Sequence, residues 1–212
     1  MAIEQLQDLL GDDLPAVDRA IHDLLTSDVP LISLLGQYVI DSGGKRLRPM
    51  VMLAGARMLG YDGDRHTRLA AVIELIHTAT LVHDDVVDNA EERRTRPTAN
   101  AVWGAQAPVL VGDFLFARSF EAMVDDGEMR VLEVLARATR ELAEGEVLQL
   151  QNAHDPDVDE ANYLRVVQAK TAVLFEAAAR LAVIVAGGTK DQEEALATYG
   201  HELGMAFQLI DD

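Results

Sequence analysis

Residues 69–88 read LAAVIELIHTATLVHDDVVD, and this stretch decides the fold class. From Leu69 to Val82 the apolar residues run almost all round a helical projection, with Glu74 and His77 as the ionisable interruptions. A helix apolar on nearly every face is buried on most of them, so the stretch predicts a central helix enclosed by others. The flanking sequence agrees. Val131–Gln151 (VLEVLARATRELAEGEVLQLQ) places apolar residues at three- and four-residue spacing, with Ala, Leu, Glu and Arg prevailing. No sustained alternation of period two occurs, and no Asn-Gly hairpin turn. Breaks fall at Ser42-Gly43-Gly44, Tyr61-Asp62-Gly63-Asp64, Arg96-Pro97, Asp125-Asp126-Gly127, His154-Asp155-Pro156 and Gly187-Gly188. Between them lie helices of roughly 12–25 residues, one of them expected to run unbroken over Ala161–Ala186. The expectation is an all-α helical bundle forming one domain over residues 1–212.

Composition narrows the function. The 212 residues include 36 acidic and 18 basic side chains, a formal charge of −18, and 49% are hydrophobic. That apolar share excludes intrinsic disorder, because enough surface can be buried to offset chain entropy. The acidity argues against nucleic acid or an anionic membrane as partner, since a polyanion repels phosphate unless a local basic patch overrides the field. The absence of cysteine excludes a disulfide scaffold, a thiol nucleophile and a zinc–cysteine site. The first residues, MAIEQLQDLL, carry acids and no basic flank, unlike a secretory signal. The longest uncharged stretch, Thr98–Gly112, contains Asn100, Gly104 and Pro108 and is too short to span a bilayer. A cytoplasmic protein with no integral membrane segment is expected.

Chemistry concentrates where the apolar helix ends. In His83-Asp84-Asp85-Val86-Val87-Asp88, a continuing helix puts Asp84 and Asp88 on one face, with Asp85 about 100° round. Like charges repel there, and the helix dipole disfavours anions at a carboxyl end. Carboxylates so placed call for a cation, and an incomplete all-oxygen shell suits Mg²⁺, which shares its coordination with phosphates. Read alone, the cluster also fits a solvated acidic helix end. The run that follows, Arg93-Arg94-Thr95-Arg96, favours the first reading. Acidic and basic groups converge usefully on one polyanion, whose oxygens guanidinium groups grip in pairs. A second basic cluster, Gly43-Gly44-Lys45-Arg46-Leu47-Arg48-Pro49, lacks P-loop spacing yet sets three cations beside flexible glycines. A further acidic pair appears in Phe207-Gln208-Leu209-Ile210-Asp211-Asp212, where Gln208 shares a helical face with both aspartates. Lys170-Thr171 lies amid apolar turns, where a snorkelling lysine is the plainer explanation.

With Gly112-Asp113 and Glu144-Gly145-Glu146, these motifs occur in the order and spacing of the trans-polyprenyl diphosphate synthases. The chain resembles that family from about residue 10 onward, and within it the bacterial octaprenyl branch. The resemblance implies a homodimeric isoprenoid-synthase-type bundle around a deep central cleft, with two aspartate-rich helices facing each other across its mouth. It implies Mg²⁺ on Asp84, Asp88, Asp211 and Asp212, with Asp85 in support. It implies that Arg93, Lys170, Thr171 and Gln208 hold an allylic diphosphate such as farnesyl diphosphate. Lys45, Arg48, His77 and Arg94 would hold isopentenyl diphosphate. The implied reaction is ionisation of the allylic C–O bond, attack by the isopentenyl double bond, and growth of an all-trans chain for quinone side chains. Thr95 stands where many relatives have glycine.

Chain length in the family depends on what blocks the cleft. One helical turn rises about 5.4 Å, close to one isoprene unit. Ala79 and Thr80 stand where a bulky aromatic would give short products, so a long product of about eight units is expected. Phe116, Phe120 and Met123 form one stripe on the next helix and are candidates for the floor, although core packing accounts for such stripes more often. Relatives extend further and complete the second motif with another aspartate, so a domain lacking its C-terminal part is expected. Other readings are a non-catalytic or truncated inactive form, and a class I terpene cyclase of the same fold; the second basic cluster disfavours the cyclase. A di-metal carboxylate bundle expects two Glu-x-x-His pairs, whereas only Glu74 and His77 fit.

Overall fold

The computed structural model describes residues 2–153 and 157–211. The chain runs through α1 (Ala2–Leu10), α2 (Asp13–Leu24), α3 (Pro30–Ile40), α4 (Leu47–Met58) and α5 (Arg65–Val87). A two-residue antiparallel ribbon, β1 (Glu92–Arg93) and β2 (Arg96–Pro97), follows. Then come α6 (Ala99–Trp103), α7 (Gln106–Asp126), α8 (Met129–Asn152) and α9 (Glu160–Val167). A π-helical turn (Gln168–Ala172), α10 (Val173–Ala186) and α11 (Lys190–Asp211) complete the described chain.

The all-α expectation holds, and α5 is the central helix. Its buried positions run from His66 to Asp85 round every face, and it packs against α2, α4, α7 and α10. Met50, Met52 and Leu53 of α4, Leu115 of α7 and Leu174 and Leu181 of α10 close the core about it. Burial of each such side chain contributes about 1.5–3 kcal/mol. Ion pairs fasten the surrounding helices. Arg57 grips both oxygens of Asp13 at 2.7 Å, tying α4 to α2, and its hydrogen bond holds the Asp13 carboxyl below its ordinary range. Arg65 and Asp126 join the start of α5 to the end of α7 at 2.5 and 2.6 Å. Glu74, buried in α5, accepts from Arg46 at 2.7 Å, so one cation of the first basic cluster is committed to the scaffold.

Two local features depart from the sequence reading. The helix expected over Ala161–Ala186 begins at Glu160 and is interrupted by the π turn, which inserts an extra residue where Lys170 and Thr171 sit. Asp159 starts it, its carboxylate accepting from the Asn162 amide at 2.8 Å. The basic run after α5 forms a tight ribbon instead of an irregular loop. Its turn residues, Arg94 and Thr95, both have positive φ, at 51° and 64°, as the hairpin turn that matches strand twist requires. Glycine takes that conformation freely, which explains physically why relatives carry it where this chain has Thr95. Arg96 pins the ribbon to α3, donating to the Asp41 carbonyl at 2.8 Å and lying 5.1 Å from the Tyr38 ring centroid. Among the described residues no helix is long and apolar enough to cross a membrane.

Candidate active site

The end of α5 opens into a cavity of about 740 Å³. Asp84 and Asp88 line it together, and the Asp88 amide donates to the Asp84 carbonyl at 2.8 Å, so helical register carries across both. Asp85, on a different face, turns into the wall. It is 8% exposed and accepts from Arg93 Nε at 2.8 Å. Burial raises its pKa, opposed by the Arg93 hydrogen bond. It lines a separate pocket of about 40 Å³, which shares His77, Arg93 and Arg94 with the large cavity.

The facing wall is assembled from α8, the π turn and α11. A Cβ added at Gly145 would stand 2.6 Å from the Ala169 methyl, and one at Gly204 would stand 2.5 Å from the Ala172 Cα. Two glycines therefore let α8 and α11 close on the π turn from either side, and the turn presents Lys170 and Thr171 to the cavity. Lys170 Nζ lies 2.5 Å from Gln149 Oε1, 2.6 Å from Glu146 Oε2 and 3.5 Å from Asp84 Oδ2, bridging the two walls. Thr171 donates to Gln208 Oε1 at 2.8 Å, which ties the turn to α11. Burial pushes the Glu146 carboxyl up to about 7; the Lys170 hydrogen bond opposes this and the Asp84 charge adds to it.

A third group comes from α4 and the middle of α5. The Arg48 guanidinium lies 4.7 Å from the Phe175 ring centroid, and its Nη1 is 3.2 Å from His77 Nε2. Burial lowers the Arg48 pKa to about 10. Burial, and then the Arg48, Arg94 and Arg93 charges, hold His77 well below its ordinary value. The ring is therefore neutral, and its Nε2 accepts from Arg48.

One cavity thus collects Asp84, Asp88 and Asp211 from the two acidic motifs. It also collects Arg48, His77, Arg93, Arg94, Lys170, Thr171 and Gln208. Asp212 lies outside the described residues. Lys45 is exposed and lines neither pocket, because the left-handed backbone at Arg46 turns the chain into α4 just beyond it. Of the candidate length-determining residues only Thr80 reaches the cavity. Ala79, one residue and 100° away, is fully buried in the core. Met123 is likewise core, Phe116 packs with its ring centroid 5.9 Å from that of His83, and Phe120 is exposed on the outer face of α7. The residues that the sequence reading left without a role are Glu146, Gln149 and Asn152, together with Tyr163 on α9. Their signal was a polar column at three-residue spacing along α8, which in so acidic a chain looks like a solvated face.

The donors fit a hard divalent cation. All are carboxylate oxygens, and Asp84 and Glu146 place two carboxylates against one ammonium, Lys170. Among the described residues no three acidic or histidine side chains gather closely enough to enclose a metal alone. Such an incomplete shell suits an ion whose remaining ligands are water and substrate phosphate.

Comparison with known proteins places these motifs in context. Residues 29–212 match the polyprenyl synthetase family model. The octaprenyl diphosphate synthase of Escherichia coli is 52% identical over the whole chain, which covers 66% of that relative. The crystal structure of a decaprenyl diphosphate synthase from Rhodobacter capsulatus superposes with a TM-score of 0.96 at 51% identity, over 99% of this chain and 65% of that one. A polyprenyl synthase from Caulobacter crescentus, crystallised with calcium and isoprenyl diphosphate, gives 0.96 at 50% identity, over 99% of this chain and 64% of that one. The chain therefore spans just under two thirds of the length of these relatives.

Proposed function

The chain belongs to the polyprenyl synthetase family, and from that premise we propose that it forms the catalytic body of a trans-prenyltransferase. The reaction joins isopentenyl diphosphate to an allylic diphosphate, farnesyl diphosphate in the first round. The observation that carries this reading is the meeting of Asp84, Asp88 and Asp211 with Arg48, Arg93, Arg94 and Lys170 in one cavity. Anions and cations together in that number suit a metal-bound diphosphate better than a structural salt-bridge cluster, because most of these groups keep cavity-facing atoms.

Asp84, Asp88 and Asp211 are the residues proposed to hold Mg²⁺. When bound, the ion supplies positive charge against the departing diphosphate. Lys170 and Arg93 supply the same charge complement from the protein, and preorganised donors of this kind cost no reorganisation as the C–O bond breaks. That bond cleaves with its electron pair leaving on the diphosphate. Arg48 and Arg94 hold the second diphosphate, which sets the isopentenyl double bond against the allylic cation and makes its attack intramolecular. Neutral His77 keeps Arg48 oriented by accepting from it. Loss of a proton from C2 to the released diphosphate restores neutrality, so no side-chain base is required.

The product is proposed to be long, about eight isoprene units, as the octaprenyl relative's name supports. Thr80 is the residue proposed to set that length from the cavity wall, and Thr80→Phe should shorten the product. Ala79→Phe should instead overpack the core. A homodimer is proposed too, supported by the exposed Val109, Phe120 and Val124 along α7. Incubation with farnesyl diphosphate, radiolabelled isopentenyl diphosphate and Mg²⁺, followed by product chromatography, tests the activity. All-trans products longer by whole isoprene units are expected, and label remaining wholly in isopentenyl diphosphate would refute the reading. Cyclised hydrocarbon without incorporation of isopentenyl diphosphate would favour a terpene cyclase.

A further inference from the structure

Two buried polar nitrogens facing the large cavity have no hydrogen-bond partner, Arg48 Nε and Asn152 Nδ2. Arg48 is otherwise engaged, through its Nη1 and the face of its guanidinium, and already has a place in the proposed reaction. Asn152 has neither. It is the last residue of α8, and no hydrogen bond ties its side chain to the described residues. Buried donors are almost always satisfied, so an orphan lining a cavity points to a group that arrives with a ligand.

Position identifies that group. Asn152 continues the column begun by Glu146 and Gln149, each step of three residues advancing about 4.5 Å along the helix. The first two turn oxygens toward Lys170, whereas Asn152 offers a donor to the same cavity. The nearby wall is apolar at Val158, Val166 and Val167, so the protein supplies no acceptor there from those side chains. A hydrocarbon tail cannot satisfy an N–H, but a phosphate oxygen can. We infer that Asn152 is a further substrate-binding residue, donating from Nδ2 to a diphosphate oxygen of the allylic substrate. The inference rests on the prenyltransferase reading above.

Calorimetric titration of wild type, Asn152→Ala and Asn152→Asp with farnesyl diphosphate and Mg²⁺, alongside thermal melts of the ligand-free proteins, tests it. Asn152→Ala should weaken farnesyl diphosphate binding about 10- to 100-fold, as loss of a hydrogen bond to a charged group does. Isopentenyl diphosphate binding should be unchanged. The melting temperature should stay level or rise, because the substitution removes a buried donor that the free protein leaves unpaired. Asn152→Asp should bind more weakly still, since it replaces the donor with a carboxylate facing the diphosphate. Wild-type affinity in Asn152→Ala would overturn the assignment alone. A lowered melting temperature with affinity retained would do the same, marking Asn152 as structural. Failure of the wild-type chain to bind farnesyl diphosphate would overturn the functional reading and this assignment with it.

Discussion

Charge reaches the α5 side of the cavity in contiguous runs, Asp84, Asp85 and Asp88 and then Arg93 and Arg94. It reaches the opposite side as single residues from separate elements: Glu146 from α8, Lys170 from the π turn, Gln208 from α11. The first wall is ordered largely within itself, by the helix and by the Asp85–Arg93 ion pair eight residues apart. The second depends on how closely three elements pack, and two glycines set that distance. The same site therefore has one wall that answers mainly to electrostatics and one that answers mainly to steric fit.

Substitutions should separate the two. The largest effect is expected at Asp84, where Ala removes a proposed metal ligand and a Lys170 partner; condensation should fall by at least about 10²–10³-fold in initial-rate assays. The melting temperature should barely move. Lys170→Met should cost about 10²-fold in kcat and leave Asp84 and Glu146 facing one another without their shared cation. Gly145→Ala attacks the second wall through packing. Its new methyl meets Ala169, so denaturant unfolding should register a loss of about 1–3 kcal/mol, with activity falling in parallel. The smallest effect has the opposite sign. Thr95→Gly relieves a β-branched residue at φ 64° and should stabilise the protein by about 1 kcal/mol, with kinetics unchanged.

That contrast also governs how much could be read in advance. The burial of α5 and the shared face of Asp84 and Asp88 follow from helical period alone, so the first wall was legible in the residues themselves. Lys170 and Thr171 were legible only through family resemblance, because a lysine among apolar turns looks like a helix continuing. Nothing in Gln168–Ala172 announces a π turn; it exists because Gly145 and Gly204 admit their helices on both sides. Ala79 and Thr80 show a finer boundary. The sequence places both before the aspartates, yet the 100° between them sends one into the core and the other to the cavity, and only the rotation of α5 against α7 and α10 decides which. Glu146, Gln149 and Asn152 were hidden for a different reason, since 36 acidic residues make polar columns commonplace.

The central claim is that the two walls jointly hold a metal-bound allylic diphosphate. Equilibrium binding of farnesyl diphosphate to wild type and Asp84→Asn, each with Mg²⁺ and with excess chelator, tests it most directly. Mg²⁺ should tighten wild-type binding by at least about tenfold and have little effect on the variant. Equal affinity in all four conditions would contradict the account.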